Sequence, residues 1–351
     1  MVKLKMENNT FSSTNSLKGI AIIAVLINHY LNLNVQGDST GFANLWIVVF
    51  FILSGYGIQY SLSSRFNDER ISLKIIFNFY YSRLIRILPL FWIAYLIESF
   101  LFGYDISILT LLGISGVGHY WFVPAIIQCY LLAPIIYLLA RKNRVAVLIV
   151  ILLAFVFLNW MISLNIFPIK LIDVLKKIHL YWRNVFFLYL LVFFFSMLLP
   201  RATSQWSKIT YLEKNFYFYL IISIVMLLML SVKYKAMVPY LHILTTDTIV
   251  PVVLIIISSV YLVCNRMVIP YVSKIGSISY SIYLFHMIFY LFIKKYLIYD
   301  VHFFFEIGVY IMLFPVFLYL CFKLEKFSYY LTKFAKVDRQ SAQTYIPLGL
   351  V

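Results

Sequence analysis

The chain has 351 residues, of which 63% are hydrophobic, 19% aromatic and only 12% charged, a composition that excludes a soluble globular domain. Its mean hydropathy of +0.92 points to a protein solvated by lipid. The net charge of +16 is explained by membrane topology and attraction to anionic lipid, so no nucleic-acid partner is inferred from it.

Apolar runs long enough to cross about 30 Å of hydrocarbon fall near residues 16–34, 43–62, 75–101, 120–140, 144–164, 180–199, 216–233, 246–264, 276–294 and 303–323. They are continuous rather than alternating with period two, which predicts an all-α, polytopic membrane protein with about ten transmembrane helices and excludes a strand barrel. With the N-terminus inside, 21 of the 29 Lys and Arg lie on the cytoplasmic side. The other eight are Lys170, Lys176, Lys177, Arg183, Lys233, Lys235, Lys294 and Lys295. This bias predicts a multi-pass protein of the cell (plasma or inner) membrane with both termini cytoplasmic.

Three segments follow: a polar cytoplasmic N-terminus at 1–15, a transmembrane domain at 16–323 and a basic amphipathic cytoplasmic tail at 324–351. The polar start followed by an apolar run resembles a signal peptide, but no small-residue cleavage site follows it, and an uncleaved first span is expected. In the tail, Leu324, Phe327, Leu331 and Phe334 recur at helical spacing among basic residues, as in a helix lying along the inner membrane surface. Cys129, Cys264 and Cys321 have no ligand-like spacing, so neither a disulfide framework nor a metal site is expected.

The first span, SLKGIAIIAVLINHYL, carries Lys18 and His29 on nearly one helical face, about 16 Å apart along the axis. Ionisable groups inside a span are costly and mark functional candidates; an imidazole is suited to general-base work near neutral pH. Flanking by a snorkelling lysine and packing by a bonded histidine are the plainer readings. In the second span, IVVFFILSGYGIQY interrupts an aromatic run with Ser54, Gly55 and Gly57, which favours close helix packing or the approach of a ligand to the backbone. The third, YYSRLIRILPLFWIAY, places Arg83 and Arg86 one turn apart before Pro89. That pair can grip a phosphorylated ligand by forked hydrogen bonds, or serve only as positive-inside residues. The fourth opens HYWFVPAIIQCYLLAP, with His119 and Trp121 at the outer interface and Gln128 within, and the ninth, SISYSIYLFHMIFY, holds His286 near its middle. Aromatic belts account for many of the rings but not for a histidine within a span. Glu98, Asp247 and Glu306 are acids able to orient an imidazole, and sequence does not choose among them.

Taken together, the Lys18/His29 spacing, FFILSG from Phe50 to Gly55, RLIRILP from Arg83 to Pro89, HYWFVPAIIQCYLLAP and SYSIYLFH resemble the acyltransferase-3 family of integral membrane O-acyltransferases, in family order from residue 16 to about 323. The resemblance implies transfer of an acyl group, usually acetyl from acetyl-CoA on the cytoplasmic side, to a hydroxyl of a cell-surface or secreted carbohydrate or glycolipid. By that resemblance His29 matches the essential first-span histidine and Arg83 and Arg86 match the R-x-x-R pair. Lys18 stands where arginine is more usual, and Ile126 and Ile127 stand where many relatives carry glutamate. A second, hydrolase-like domain of many relatives has no counterpart, so any onward transfer implies separate glycan assembly proteins.

The resulting expectation is an acyl-CoA donor held by Lys18, Arg83 and Arg86, with no tightly bound cofactor and no metal. His29 is the expected base, Ser54 and His286 serve the oxyanion, and His119, Trp121 and Gln128 contact the acceptor. The alternatives are a glycan or lipid transporter or flippase, for which no repeat with broken helices is found, and a catalytically silent scaffold of a glycan assembly complex.

Overall fold

The computed structural model describes residues 2–34, 40–66, 73–116, 118–143, 146–147, 149–150, 153, 185–198, 269–298 and 303–344. The helices are α1 (Val2–Asn34), α2 (Thr40–Arg65), α3 (Leu73–Phe102), α4 (Phe122–Lys142), α5 (Val185–Leu198), α6 (Pro270–Ser277), α7 (Ser279–Tyr296) and α8 (Phe303–Thr344). A single helical turn at Ile108–Leu111 and a 3-10 turn at Gly118–Trp121 lie between α3 and α4. Among the described residues there is no strand, and the all-α membrane architecture is as the apolar runs predict.

Five helices are long and apolar enough to cross a membrane: Thr14–Leu33, Trp46–Ser63, Leu73–Phe102, Gly118–Lys142 and Phe305–Lys333, with a sixth if α6 and α7 count as one span. Of the ten expected spans, 216–233 and 246–264 lie outside the described residues, as does nearly all of 144–164. Lys170, Lys176, Lys177 and Asp247 lie outside them too. The helices extend beyond the apolar runs at both ends of the chain. The helix of α1 begins at Val2 and α8 runs unbroken through residue 323 to Thr344.

The chain divides into two compact units, Met1–Arg70 with Pro124–Ser279, and Ile71–Val123 with Tyr280–Val351. In the first, α1 packs on α2 and α6, and α2 packs on α5. The α1 and α6 backbones approach so closely that a Cβ on Gly19 would collide with Val272, and one on Gly276 with Asn15, the small-residue contact by which membrane helices associate without a hydrophobic driving force. The backbone N–H of Ile269 donates to Ser16 Oγ at 3.0 Å, which satisfies one of the donors that α6 leaves open at its start. On α2, Phe51 is fully buried and stacks on Tyr189 of α5, with ring centroids 4.8 Å apart. One turn on, Gly55 faces the Phe193 carbonyl and Ser196. The FFILSG stretch is therefore, at Phe51 and Gly55, an interhelical contact.

In the second unit, α8 packs on α3. Pro89 lies inside α3, where its ring cannot donate and disturbs the preceding turn. Two carbonyls beside it take a side-chain donor: Ile87 O accepts from Tyr280 Oη at 3.0 Å and Arg86 O from Ser328 Oγ at 3.4 Å. These hydroxyls tie α7 and α8 to the turn of α3 that leads into the proline. At the far end of α3, the Leu101 carbonyl accepts from Lys295 Nζ and Tyr296 Oη, which caps an otherwise open C-terminus. The helices α7 and α8 are joined by Ser281 Oγ donating to Glu325 Oε2 at 2.5 Å and by Phe289 stacked on Phe317 at 4.6 Å. Ile311, Met312, Val316, Leu320 and Phe322 of α8 are exposed, as befits a face solvated by acyl chains.

Candidate active site

Four of the residues selected from sequence belong to the first unit. Lys18 and His29 are both half-buried on α1, at the two ends of its apolar stretch. Asn28, next to His29, is 1% exposed, and neither of its amide atoms has a hydrogen bond among the described residues. Ser54 is half-buried on α2, and Gln128 half-buried on α4, its Oε1 likewise without a hydrogen bond among the described residues. Unbonded amide atoms are costly in an apolar interior, and contacts among the described residues do not account for Asn28 or for Gln128 Oε1.

The other five belong to the second unit. Arg83 is half-buried, with its guanidinium 5.6 Å from the centre of the Phe79 ring, and Arg86 is exposed. Glu98 lies twelve residues beyond Arg86 on the same helix, about 18 Å along the axis. The arginines therefore sit near the middle of α3 and this carboxylate towards its C-terminal end.

At that end the described residues gather a polar cluster around Glu98 and His119. After α3 the segment from 104 to 111 is tied back onto the helix. Tyr95 Oη donates to Asp105 O at 3.1 Å and accepts from the Ser107 N–H at 2.9 Å, and Trp92 Nε1 donates to Leu111 O at 2.6 Å. The chain then enters the Gly118–Trp121 turn, where Tyr120 is buried and packs edge-on against Phe91 and Tyr95. His119 of the same turn places Nε2 3.8 Å from Glu98 Oε2, with side chains 6% and 9% exposed. Its ring lies over Tyr120 and meets the His286 ring edge-on, 5.3 Å between centroids. Its backbone carbonyl accepts from the Tyr283 hydroxyl.

His286 is fully buried, and its Nδ1 lies 2.6 Å from the Tyr283 carbonyl. A carbonyl only accepts, so this geometry assigns the hydrogen to Nδ1 and leaves Nε2 as the lone-pair nitrogen of the neutral ring. Such a ring takes up a proton at Nε2; it donates there, as an oxyanion contact requires, only once protonated.

His119 and His286 are thus brought together, and Trp121 follows half-buried two residues after His119. Of the three acids that sequence left open, Glu98 lies beside an imidazole; Glu306 sits on α8 with Oε1 unbonded among the described residues. Sequence reasoning passed over Tyr120 and Tyr283. For Tyr283 a signal existed, since it precedes His286 by three residues and so shares its helical face. Ile126 and Ile127 are both buried.

Comparison with known proteins adds the family. Neither the curated proteins nor the solved structures yield a match. A family model described as an acyltransferase domain matches residues 11–325, a stretch that contains all nine candidate residues. The chain is therefore an acyltransferase of the membrane, and it belongs to the acyltransferase-3 family.

Proposed function

We propose that this acyltransferase moves an acyl group, acetyl foremost, from acyl-CoA on the cytoplasmic side to a hydroxyl of a cell-surface or secreted carbohydrate. It does so in the cell membrane with both termini cytoplasmic. The observation that carries the reading is His29, an imidazole half-buried in an apolar span, where an ionisable group is hard to justify by packing alone.

The reaction divides among the residues as follows. Arg83 and Arg86, with Lys18, meet the phosphates of the donor, for which planar guanidinium forks are suited and a lysine supplies a point charge. His29 accepts the proton of the acceptor hydroxyl, and the oxygen attacks the thioester carbon. The new C–O bond forms as the C–S bond breaks, and the departing thiolate takes the proton from the imidazolium, leaving an ester and free CoA. Ser54 donates to the oxyanion as charge develops there, and His119, Trp121 and Gln128 contact the acceptor. A general base contributes typically about 10² to 10⁴ in rate, so positioning of donor and acceptor supplies much of the remainder. Acyl-CoA is a substrate in this scheme and no tightly bound cofactor takes part.

The test is reconstitution. Purified protein in proteoliposomes is given radiolabelled acetyl-CoA and glycans extracted from its native cells. Label in the glycan supports the proposal. Movement of unlabelled glycan across the bilayer supports a transporter, and neither event with any acceptor supports a silent scaffold.

A further inference from the structure

We propose that Tyr280 and Glu325 are positioning residues for the donor: with Ser281 and Ser328 they form a hydrogen-bonded clamp from α7 and α8 that holds the backbone of Arg86 and so aims its guanidinium at the phosphates of acyl-CoA. The inference rests on the reading above in which Arg86 meets those phosphates. Its starting point is that two helices reach consecutive residues in one turn of α3. Tyr280 Oη of α7 donates to Ile87 O at 3.0 Å, and Ser328 Oγ of α8 donates to Arg86 O at 3.4 Å. Neighbouring side chains close the circuit between α7 and α8. Ser281, fully buried and adjacent to Tyr280, donates from Oγ to Glu325 Oε2 at 2.5 Å. Glu325 precedes Ser328 by three residues on α8, which places both on one face of that helix.

Neither hydroxyl replaces a bond that the helix lacks. The carbonyls of residues 86 and 87 are the helical acceptors for the N–H groups of Leu90 and Phe91, and an oxygen with two lone pairs can take a second donor. Pro89, inside α3, acts one residue earlier: it denies a donor to the Ile85 carbonyl, and its ring crowds that oxygen. The turn that carries Arg86 is thus the one whose helical ladder is interrupted, and it is the one that α7 and α8 grip. Apolar packing of α8 on α3 is non-directional, whereas a hydrogen bond restricts where its carbonyl points. The residue held in this way has an open head group. Arg86 is exposed, and among the described residues its guanidinium has no ion pair, hydrogen bond or ring partner. A guanidinium on a fixed backbone and without a protein partner suits a phosphate ligand. An arginine that served only as a topological signal would need no such mounting.

The experiment uses the full-length protein in proteoliposomes with radiolabelled acetyl-CoA and the extracted glycan fraction. Tyr280→Phe, which removes one hydroxyl and keeps the ring, is expected to raise the KM for acetyl-CoA about fivefold, the loss of one hydrogen bond, and to leave kcat and the KM for glycan unchanged. Glu325→Leu is expected to do the same. Glu325→Gln keeps an oxygen towards Ser281 and should stay within about twofold of the wild type. In the Arg86→Ala background Tyr280→Phe should add nothing to the donor KM, because it acts through that side chain. If Glu325→Leu does not fold, Ser281→Ala removes the same bond from its donor side. The inference is overturned by an unchanged donor KM in Tyr280→Phe, an equal rise in both KM values, a Glu325→Gln defect as large as that of Glu325→Leu, or a full effect of Tyr280→Phe without Arg86. In each of these cases a raised donor KM in Arg86→Ala leaves the donor reading standing. A wild-type donor KM in Arg86→Ala overturns the clamp together with that reading.

Discussion

The ring of Phe51 lies nearly flat on that of Tyr189, 7° between their planes and 4.8 Å between centroids, and both side chains are fully buried. This contact belongs to the interface of α2 and α5. Phe51→Ala should lower stability by about 3 kcal/mol or more, in the range for large-to-small core changes, measured as the shift of a denaturation midpoint in detergent. A loss of acyl transfer with an unchanged midpoint would instead assign Phe51 to the reaction.

The two glycines of the same motif should behave in opposite ways. A Cβ at Gly55 meets the Phe193 carbonyl and the Ser196 hydroxyl, whereas one at Gly57 meets nothing within 4 Å among the described residues. Gly55→Ala is expected to loosen the α2–α5 contact and reduce the yield of folded protein, since a backbone obstacle cannot rotate away as a side chain can. Gly57→Ala, in the interior of a helix, should be neutral or gain about 0.5 kcal/mol. Equal sensitivity at both positions, read from thermal melts, would contradict the packing account.

His29→Ala should abolish acyl transfer, with a fall of at least about 10², while expression and membrane insertion persist. Because His29 is half-buried, an independent melt separates chemistry from folding. Activity retained within a few-fold would remove His29 as the base and turn attention to His286, whose Nε2 is the proton-accepting nitrogen of its ring.

The two arginines offer a contrast in burial. Arg86 is exposed, so Arg86→Ala should raise the KM for acetyl-CoA about tenfold, the loss of a charged hydrogen bond, with stability unaffected. Arg83 also covers the Phe79 ring, so Arg83→Ala should lower stability as well as donor affinity. Arg83→Lys keeps the charge, and it should recover stability more than affinity because the fork is lost. Unaltered donor KM in all three variants would reduce the pair to a topological signal.

What was legible in the sequence, and what was not, follows from the kind of information each feature needs. Continuous runs of Leu, Ile and Phe announce spans, and α2, α3 and α4 lie close to where those runs placed them. The starts and ends of helices were another matter. Hydropathy marks where lipid begins, whereas a helix stops only where its backbone is interrupted. No Gly or Pro stands between residues 2 and 15 or between 316 and 344, and α1 and α8 continue through both stretches. The site shows the same divide. His119 and His286 stood out as polar residues in apolar surroundings. The proximity of Glu98 to His119 did not, because it depends on Trp92 and Tyr95 folding the 104–111 segment back onto α3, and no spacing along the chain encodes that closure.

The length of α8 has a consequence of its own. Its 42 residues span about 63 Å, roughly twice the hydrocarbon thickness of a bilayer. Tilting absorbs only a small part of the surplus, so however the helix is slid along its axis a long portion stands clear of the lipid. Along the helix, Lys323 and Lys326 lie over the rings of Tyr319 and Tyr330. Through Thr344 the described chain thus continues as helix rather than as a flexible leash. How far its last described turn lies from the span is determined by backbone hydrogen bonds, at a fixed rise per residue, rather than by the reach of a coil.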